Sequence, residues 1–325
     1  MSAKTPEFDP ADGLAAFLKA AGDPLRVQIL RVLAQDSFGV MELASLFDVK
    51  QSGMSHHLKL LAHAGLVATR REGNSIFYRR ALAGASPYAA LQESLYRQVD
   101  SLACEAPVLA RLEQIRSERV ISSQAFFSDN SDKFRSQQDL IASYPVYAEQ
   151  VTEMLQQVIG DARQSALEIG PGEGEFLSVL SPLFEQVWAI DINQAMLDQA
   201  AKRVEQEQLA NVTLKLVAGE NLSQALAGGI DMAVANMVLH HVPSPATVFQ
   251  SLAQVLRADG SFIVTDLCLH DQNWAREACG DVWLGFDPDE LSQWAEASGF
   301  SVGKNIYFAL RNGFQIQVRQ FIKCR

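Results

Sequence analysis

The spacing of apolar residues changes character along the chain. Residues 14–34 carry apolar side chains at helical intervals on both sides of G-D-P, with L-A-A-F-L-K-A-A before it and P-L-R-V-Q-I-L-R-V-L-A after it. Leu25, Ile29, Val32 and Leu33 share one face of the second helix. Asp23 is placed to cap that helix, and Pro24 falls at its first position, where a missing N–H costs nothing. A short third helix is expected over V-M-E-L-A-S-L-F and a turn at D-V-K. A fourth helix follows over Q-S-G-M-S-H-H-L-K-L-L-A-H-A, with Leu58 and Leu61 facing inward. From Leu66 to Arg80 the pattern becomes that of strands, with L-V-A-T-R-R and S-I-F-Y-R-R flanking the turn E-G-N.

Residues 86–120 return to helical spacing. Leu91, Leu95, Val99 and Leu102 form one stripe and Leu109, Leu112 and Ile115 another, with Pro107 interrupting or restarting the helix. This stripe packs on its own domain or, the favoured expectation, on a second subunit. From about residue 162 strands and helices alternate. S-A-L-E-I, Q-V-W-A-I-D-I, V-T-L-K-L-V-A-G, D-M-A-V-A-N-M-V-L and S-F-I-V-T-D-L read as strands separated by helices, the pattern of a mostly parallel sheet.

Charge divides the chain in the same place. Residues 1–83 hold ten Lys/Arg and eight Asp/Glu, a net +2, so the remainder carries −13 of the total −11. A small basic module attached to a large acidic one implies two kinds of partner. No apolar run approaches the roughly 18–20 residues that cross a bilayer, and M-S-A-K-T-P-E-F-D-P lacks a signal-peptide core. No membrane partner and a cytoplasmic location are expected. Cys104, Cys268, Cys279 and Cys324 form no C-x-x-C pair, so neither a metal site nor a disulfide framework is expected.

Helix, helix, turn, helix and an arginine-tipped hairpin is the order of a winged helix–turn–helix. Residues 12–83 resemble the ArsR family of bacterial repressors through A-G-D-P-L-R-V-Q-I-L-R-V-L, S-H-H-L-K-L-L-A-H-A-G-L-V and R-R-E-G-N-S-I-F-Y. The resemblance implies a recognition helix carrying Gln51, Ser52, Met54, Ser55, His56, His57 and Lys59, and a wing carrying Arg70, Arg71, Arg79 and Arg80. It also implies a homodimer on a two-fold symmetric double-stranded operator. Many family members sense metals through cysteines in the helix before the recognition helix, but V-M-E-L-A-S-L-F has no thiol. His56 and His57 do not chelate one ion together, because neighbours on a helix point about 100° apart.

In the second module L-E-I-G-P-G-E-G joins a strand to a helix, where parallel sheets bind ligands. Gly170, Gly172 and Gly174 alone suit dinucleotides and phosphates as well. Glu168, Glu173 and Glu175 disfavour a pyrophosphate, and no Lys or Arg lies in the loop, so a sulfonium or ammonium ligand fits better. Asp191, at the next strand end, is placed for ribose hydroxyls and Ile192 for adenine. Glu220 or its neighbours address the adenine edge, and N-M-V-L-H-H-V from Asn236 to Val242 faces the methionine part of such a ligand or an acceptor.

These segments, with A-N-M-V-L-H-H-V and L-R-A-D-G-S-F-I-V-T-D-L, resemble the class I S-adenosylmethionine-dependent methyltransferases over about residues 140–325. The small-molecule branch that includes quinone-biosynthesis enzymes is the nearest in flavour. The implied cofactor is S-adenosylmethionine or S-adenosylhomocysteine. Tyr144 and Tyr147 fall where that family has a lid helix, and they either cover the cofactor or simply pack. His240 and His241 serve as a general base or, more simply, hold their loop by hydrogen bonds.

The expected fold is multi-domain: an all-α/winged-helix N-terminal domain and a Rossmann-like α/β methyltransferase domain. Residues 1–85 bind DNA, 86–140 form a helical linker, dimerisation and lid region, and 141–325 bind the cofactor. DNA methylation is disfavoured, since N-M-V-L stands where a flipped-base pocket has an N-P-P-Y-like motif. The sequence offers no cysteine constellation for arsenic, no metal-ligand cluster for a catechol and no basic acceptor pocket. The expectation is a regulator, repressor in type, whose operator binding responds to the methyl donor or its product, governing methyl-cycle genes. The alternative is an active small-molecule methyltransferase with an autoregulatory DNA-binding domain.

Overall fold

A computed structural model describes residues 10–34, 36–72, 75–82, 87–130, 134–160 and 164–325. The chain forms two compact units, residues 1–117 and 118–325.

In the first unit, α1 (Pro10–Ala21) and α2 (Pro24–Val32) meet at the G-D-P corner. The Asp23 carboxylate accepts from the Arg26 amide at 3.0 Å, capping α2 as its position suggests. Arg26 then reaches back, donating from Nε to Ala20 O at 2.6 Å and from Nη2 to Lys19 O at 2.9 Å. Those carbonyls belong to the last turn of α1, which has no partners of its own for them. Next come β1 (Phe38–Gly39), α3 (Val40–Phe47), α4 (Gln51–His63), β2 (Val67–Glu72) and β3 (Ser75–Arg80). The strands pair antiparallel in the order β1-β3-β2. Gly73 and Asn74, the expected hairpin turn, lie outside the described residues. Asp48 ends α3 in the left-handed region at φ 55°, which turns the chain into α4.

Helix α5 (Ala89–Asp100) closes this unit against the base of the wing. Arg80 was expected to serve the wing, and the structure corrects this: it is only 6% exposed. Its Nε donates to Leu30 O at 2.7 Å, Nη1 and Nη2 grip the Asp100 carboxylate at 3.0 and 2.7 Å, and the guanidinium lies over the Tyr96 ring. Arg80→Ala is therefore expected to destabilise the first unit by about 2–3 kcal/mol, since it removes three charge-assisted bonds and strands a buried carbonyl. Thermal and urea melts read this directly.

Helix α6 (Ala106–Asn130) restarts the chain with Pro107 in its first turn and runs unbroken across the unit boundary. Of the expected apolar stripes, Val99 and Ile115 lie in the first unit's core with Leu95 and Leu112 packed against it, while Leu91, Leu102 and Leu109 remain exposed; Val108 joins the core beside them.

In the second unit α7 (Phe134–Gln138) and α8 (Tyr144–Val158) precede β4 (Ser165–Ile169), α9 (Leu177–Leu180), β5 (Gln186–Asp191), α10 (Gln194–Gln206) and β6 (Val212–Leu216). They are followed by α11 (Leu222–Ala225), β7 (Ile230–Asn236), α12 (Pro245–Val255), β8 (Leu256–Leu267), α13 (Trp274–Cys279), α14 (Pro288–Ala297), β9 (Phe300–Ala309) and β10 (Gln315–Lys323). Seven strands form one sheet in the order β6-β5-β4-β7-β8-β10-β9, in which β10 alone runs antiparallel to its neighbours. Every residue of β7 is buried, the signature of a central strand covered on both faces. Strand order reverses between β4 and β7, so their carboxyl ends open a crevice that other strands do not fill. Among the described residues no helix is long and apolar enough to cross a membrane.

Candidate functional site

On α4, Gln51, Ser52, Ser55, His56 and Lys59 are exposed and His57 is half-buried beside Asp23. Exposed positions 51, 52, 55, 56 and 59 recur at helical spacing and form one polar face. Met54 departs from its expected place in that group. It is 0% exposed, in line with buried Leu58 and Leu61 four and seven residues on, so it anchors the helix to the core. Arg70 is only 7% exposed, and the wing presents Arg71, exposed, and Arg79, half-buried.

In the second unit a cleft lies at the carboxyl ends of β4, β5 and β7. Glu168, Gly170, Gly172, Asp191, Ile192, Asn236, Tyr144, Tyr147 and His241 all line it. Gly174 does not: its φ of 78° and a Cβ 3.2 Å from Leu177 and 3.3 Å from Ala200 give it a packing role under the loop. The Glu220 side chain lies outside the described residues. Gly170 has φ 64°, and a side chain there would collide with Val238. Gly172, at φ 56°, has nothing within 4 Å of its Cβ position, so its backbone lies open to a ligand.

The electrostatic reading of the loop changes in one respect. No Lys or Arg lies within it, yet Arg135 of α7 donates to Glu173 at 2.6 Å and to Glu175 at 3.0 Å, and Arg203 of α10 stands 3.9 Å from Glu175. These glutamates are neutralised by arginines distant in sequence. The carboxyls of Glu168 and Asp191 also line the cleft. Burial pushes the Glu168 carboxyl up to about 8, opposed by the neighbouring Asn236 amide. Glu168 Oε2 and both polar atoms of the Asn236 amide are buried with no geometric hydrogen-bond partner. Burial also lifts Asp191 to about 6, against the amides of Asn193 and Ile192. Asp191 Oδ1 accepts from Asn193 N at 2.8 Å, which orients the carboxylate.

Tyr144 and Tyr147 pack edge-to-face, ring centroids 5.7 Å apart, on the first turn of α8, and burial raises both phenols, Tyr144 to about 12. Met237 falls in the stretch expected to face the ligand, although it was not singled out. It is buried at the cleft wall with φ 52°, a backbone strain that a methionine bears only where its surroundings enforce it. Its amide donates to Thr265 O at 2.7 Å, and its carbonyl accepts from Gln138 Nε2 at 3.2 Å. Phe127 of α6 was also missed as an individual site residue, because nothing in F-F-S-D-N separates a cleft aromatic from a core one.

His240 and His241 have opposite surroundings. His240 is enclosed; burial pulls its pKa down, but the carboxylates of Asp266 and Asp281 outweigh this and hold it at about 9. Its Nδ1 stands 2.7 Å from Asp266 Oδ1. His241 is driven well below the ordinary value by burial and by the neighbouring His240 charge. His241 reaches the cleft wall with Phe127 edge-on at 5.0 Å, and His240 does not line the cleft.

Comparison with known proteins agrees with both units. Residues 23–69 match the model of the bacterial regulatory proteins of the arsR family, and residues 167–264 match that of a methyltransferase domain. The chain is 42% identical over 86 residues to the biofilm growth-associated repressor of Agrobacterium fabrum, covering 26% of this chain and 71% of that protein. It is 30% identical over 101 residues to the ubiquinone biosynthesis O-methyltransferase of Acinetobacter baylyi, 31% of this chain but only 42% of that enzyme. It spans 54% of a SmtB-type repressor homologue from Synechocystis at 36% identity. The fold of the second unit matches the 1,6-didemethyltoxoflavin-N1-methyltransferase of Burkholderia thailandensis, whose structure holds its substrate and S-adenosylhomocysteine. That match has a TM-score of 0.52 at 18% identity, over 65% of this chain and 91% of the enzyme. The chain is a member of the arsR family of bacterial regulators, with a class I methyltransferase domain joined to its DNA-binding domain.

Proposed function

We propose that this protein is a transcriptional regulator, acting as a homodimer in the cytoplasm, whose affinity for operator DNA is set by S-adenosylmethionine or S-adenosylhomocysteine bound in the cleft. The ligand's fit rests on Gly172, whose open backbone admits close approach, and on Glu168, Asn236 and Asp191, whose polar atoms face the cleft. Asp191 would accept from the ribose hydroxyls, Ile192 would flank the adenine, and Glu168 with Asn236 would meet the cationic methionine part. S-adenosylmethionine supplies an electrophilic methyl group when an acceptor is present. On the DNA side, Gln51, Ser52, Ser55, His56 and Lys59 would face base edges and phosphates, with Arg71 and Arg79 on the flanking backbone.

The observation that carries a regulatory role is α6. Its first half is built into the DNA-binding unit. Val108 and Ile115 lie in that core, Arg111 Nη1 donates to Leu46 O at 3.0 Å, and Arg116 pairs with the buried Asp36 at 3.4 Å. Leu46 is in the last turn of α3, the helix that precedes the recognition helix. The second half of the same helix is a wall of the cleft. Val120, Ser123 and Phe127 line it, Gln124 Nε2 donates to Ile192 O at 3.0 Å, and Asn193 Nδ2 donates to Gln124 O at 3.2 Å. A ligand that presses on one half of a stiff helix biases the segments that the other half holds. A hundredfold difference in ligand affinity between operator-competent and incompetent states supplies about 2.7 kcal/mol.

The decisive measurement is operator affinity with each ligand at fixed salt, on a duplex selected from random sequence by the full chain. One ligand is expected to shift affinity tenfold or more; indifference to both rejects the sensor. Turnover of the donor by a cell-extract acceptor would instead favour the methyltransferase reading.

Binding should also release a proton. At pH 7 the ligand-free chain keeps Glu168 protonated, with its pKa near 8, and a cation beside it favours the carboxylate. Calorimetry in buffers of different ionisation heat should find up to one proton released per chain, and none in Glu168→Gln. Without ligand, the folded chain holds this proton between pH 4.5 and about 8 while the unfolded chain has lost it, so this group's contribution to stability falls as pH rises through that window.

A further inference from the structure

The corner behind the cleft gathers more metal-binding atoms than cofactor binding requires. Leu239–His241 form a single 3-10 turn after β7, which brings the rings of two adjacent histidines to 4.0 Å between centroids. Asp281 arrives from the loop after α13. The amides of Val282 and Trp283 fix that loop by donating to His240 O at 2.9 and 3.0 Å. Asp281 Oδ1 stands 3.8 Å from His240 Nε2 and 3.8 Å from His241 Nδ1, and the three donor atoms lie within 4.8 Å of one another. All three residues are buried.

Asp266 stands behind His240. Its Oδ1 is 2.7 Å from His240 Nδ1, and its Oδ2 accepts from the His240 amide at 3.3 Å. The ring is thereby set with Nε2 toward Asp281. A carboxylate on the far nitrogen is the usual means of orienting a metal-binding imidazole and raising its basicity.

We propose that His240 Nε2, His241 Nδ1 and a carboxylate oxygen of Asp281 bind a divalent first-row transition ion. Two nitrogens and one oxygen suit zinc, iron(II) or cobalt(II), whereas magnesium and calcium prefer oxygen alone. Cys279 is not a ligand: its Sγ donates to Gln137 O at 3.3 Å, and burial holds the thiol up at about 12. Donors around zinc sit roughly 3.3–3.5 Å apart at bond lengths near 2.0–2.1 Å, so the two nitrogen–oxygen separations of 3.8 Å are close to what the ion requires. On binding, the Nε2 proton of His240 leaves to solvent, and the His241 proton, now toward Gly280 O, moves to its Nε2. The Asp266 and Asp281 carboxylates then balance the ion's charge.

The test uses the full chain, stripped by chelator and titrated with cobalt(II). One ion per chain is expected, with the visible absorption of a four- or five-coordinate site, displaced by zinc and accompanied by a higher melting temperature. Asp281→Asn and His241→Gln should each weaken binding at least tenfold, Asp266→Asn about 10–100-fold, and His63→Ala, at an exposed histidine, not at all. Absence of binding in the wild type overturns the proposal, as does binding that persists undiminished in folded Asp281→Asn and His241→Gln. X-ray absorption of the zinc-loaded wild type gives a readout free of variants: two imidazoles and oxygen support the site, and a sulfur shell overturns it.

Discussion

Asp191→Ala is expected to weaken binding of S-adenosylhomocysteine by about 100-fold or more while leaving ligand-free operator affinity unchanged. The carboxylate closes β5 inside the cleft, pre-set by the Asn193 amide at 2.8 Å, and two ribose hydroxyls would donate to it. A hydrogen bond to a charged acceptor is worth about 1.5–3 kcal/mol, so two give a lower bound of about 3 kcal/mol. The same group sets an acid limit. Burial lifts Asp191 to about 6, and only its ionised form accepts both protons, so wild-type affinity should fall as pH drops below that value. Asp191 contributes a loss approaching tenfold per pH unit there, and that component should be absent from Asp191→Ala. Titration calorimetry from pH 5 to 8 reads both effects, with Glu168 contributing separately toward the upper end. Wild-type affinity in Asp191→Ala would remove the ribose assignment.

Ser117→Pro should uncouple ligand from operator while preserving each affinity near its wild-type value. Residue 117 lies inside α6 at the boundary of the two compact units. A proline there removes a backbone hydrogen bond and clashes with the preceding turn, costing about 3 kcal/mol or more and kinking the helix. Arg111 and Arg116 before it, and Gln124 and Phe127 after it, keep their local partners. A ligand effect of tenfold or more on operator binding should shrink to less than about threefold, while Ser117→Ala retains it. Undiminished coupling in a folded Ser117→Pro protein would exclude α6 as the transmitting element.

The parts of this protein most legible in its sequence are those whose signals are local. Asp23 and Pro24 start α2 because a cap and a fixed φ act within one turn. The glycines at 170 and 172 mark the cleft because their backbone angles are unavailable to other residues at little cost. Asp191 is placed by the end of its own strand. Periodicity alone assigned Leu58 and Leu61 inward, and the same reasoning extended to Met54 would have removed it from the DNA face. The family resemblance drew it outward instead.

What the linear pattern left ambiguous depends on partners remote in the chain. Arg80 reads as one more wing arginine until α5 brings Asp100 and Tyr96 against it. Glu173 and Glu175 read as an acidic ligand cradle until Arg135 and Arg203 neutralise them. His240 and His241 stand alone in the sequence until the fold brings Asp281 beside them. The sequence by itself determined a winged-helix reader of DNA, a Rossmann-like sheet and the loop at its switch point. These follow from repeat periods, caps and glycine conformations that act over a few residues. Only the tertiary structure decided which charges are spent internally, which histidine faces the cleft, and that one helix serves both units. Burial and long-range pairing are properties of the packed chain, and no local pattern encodes them.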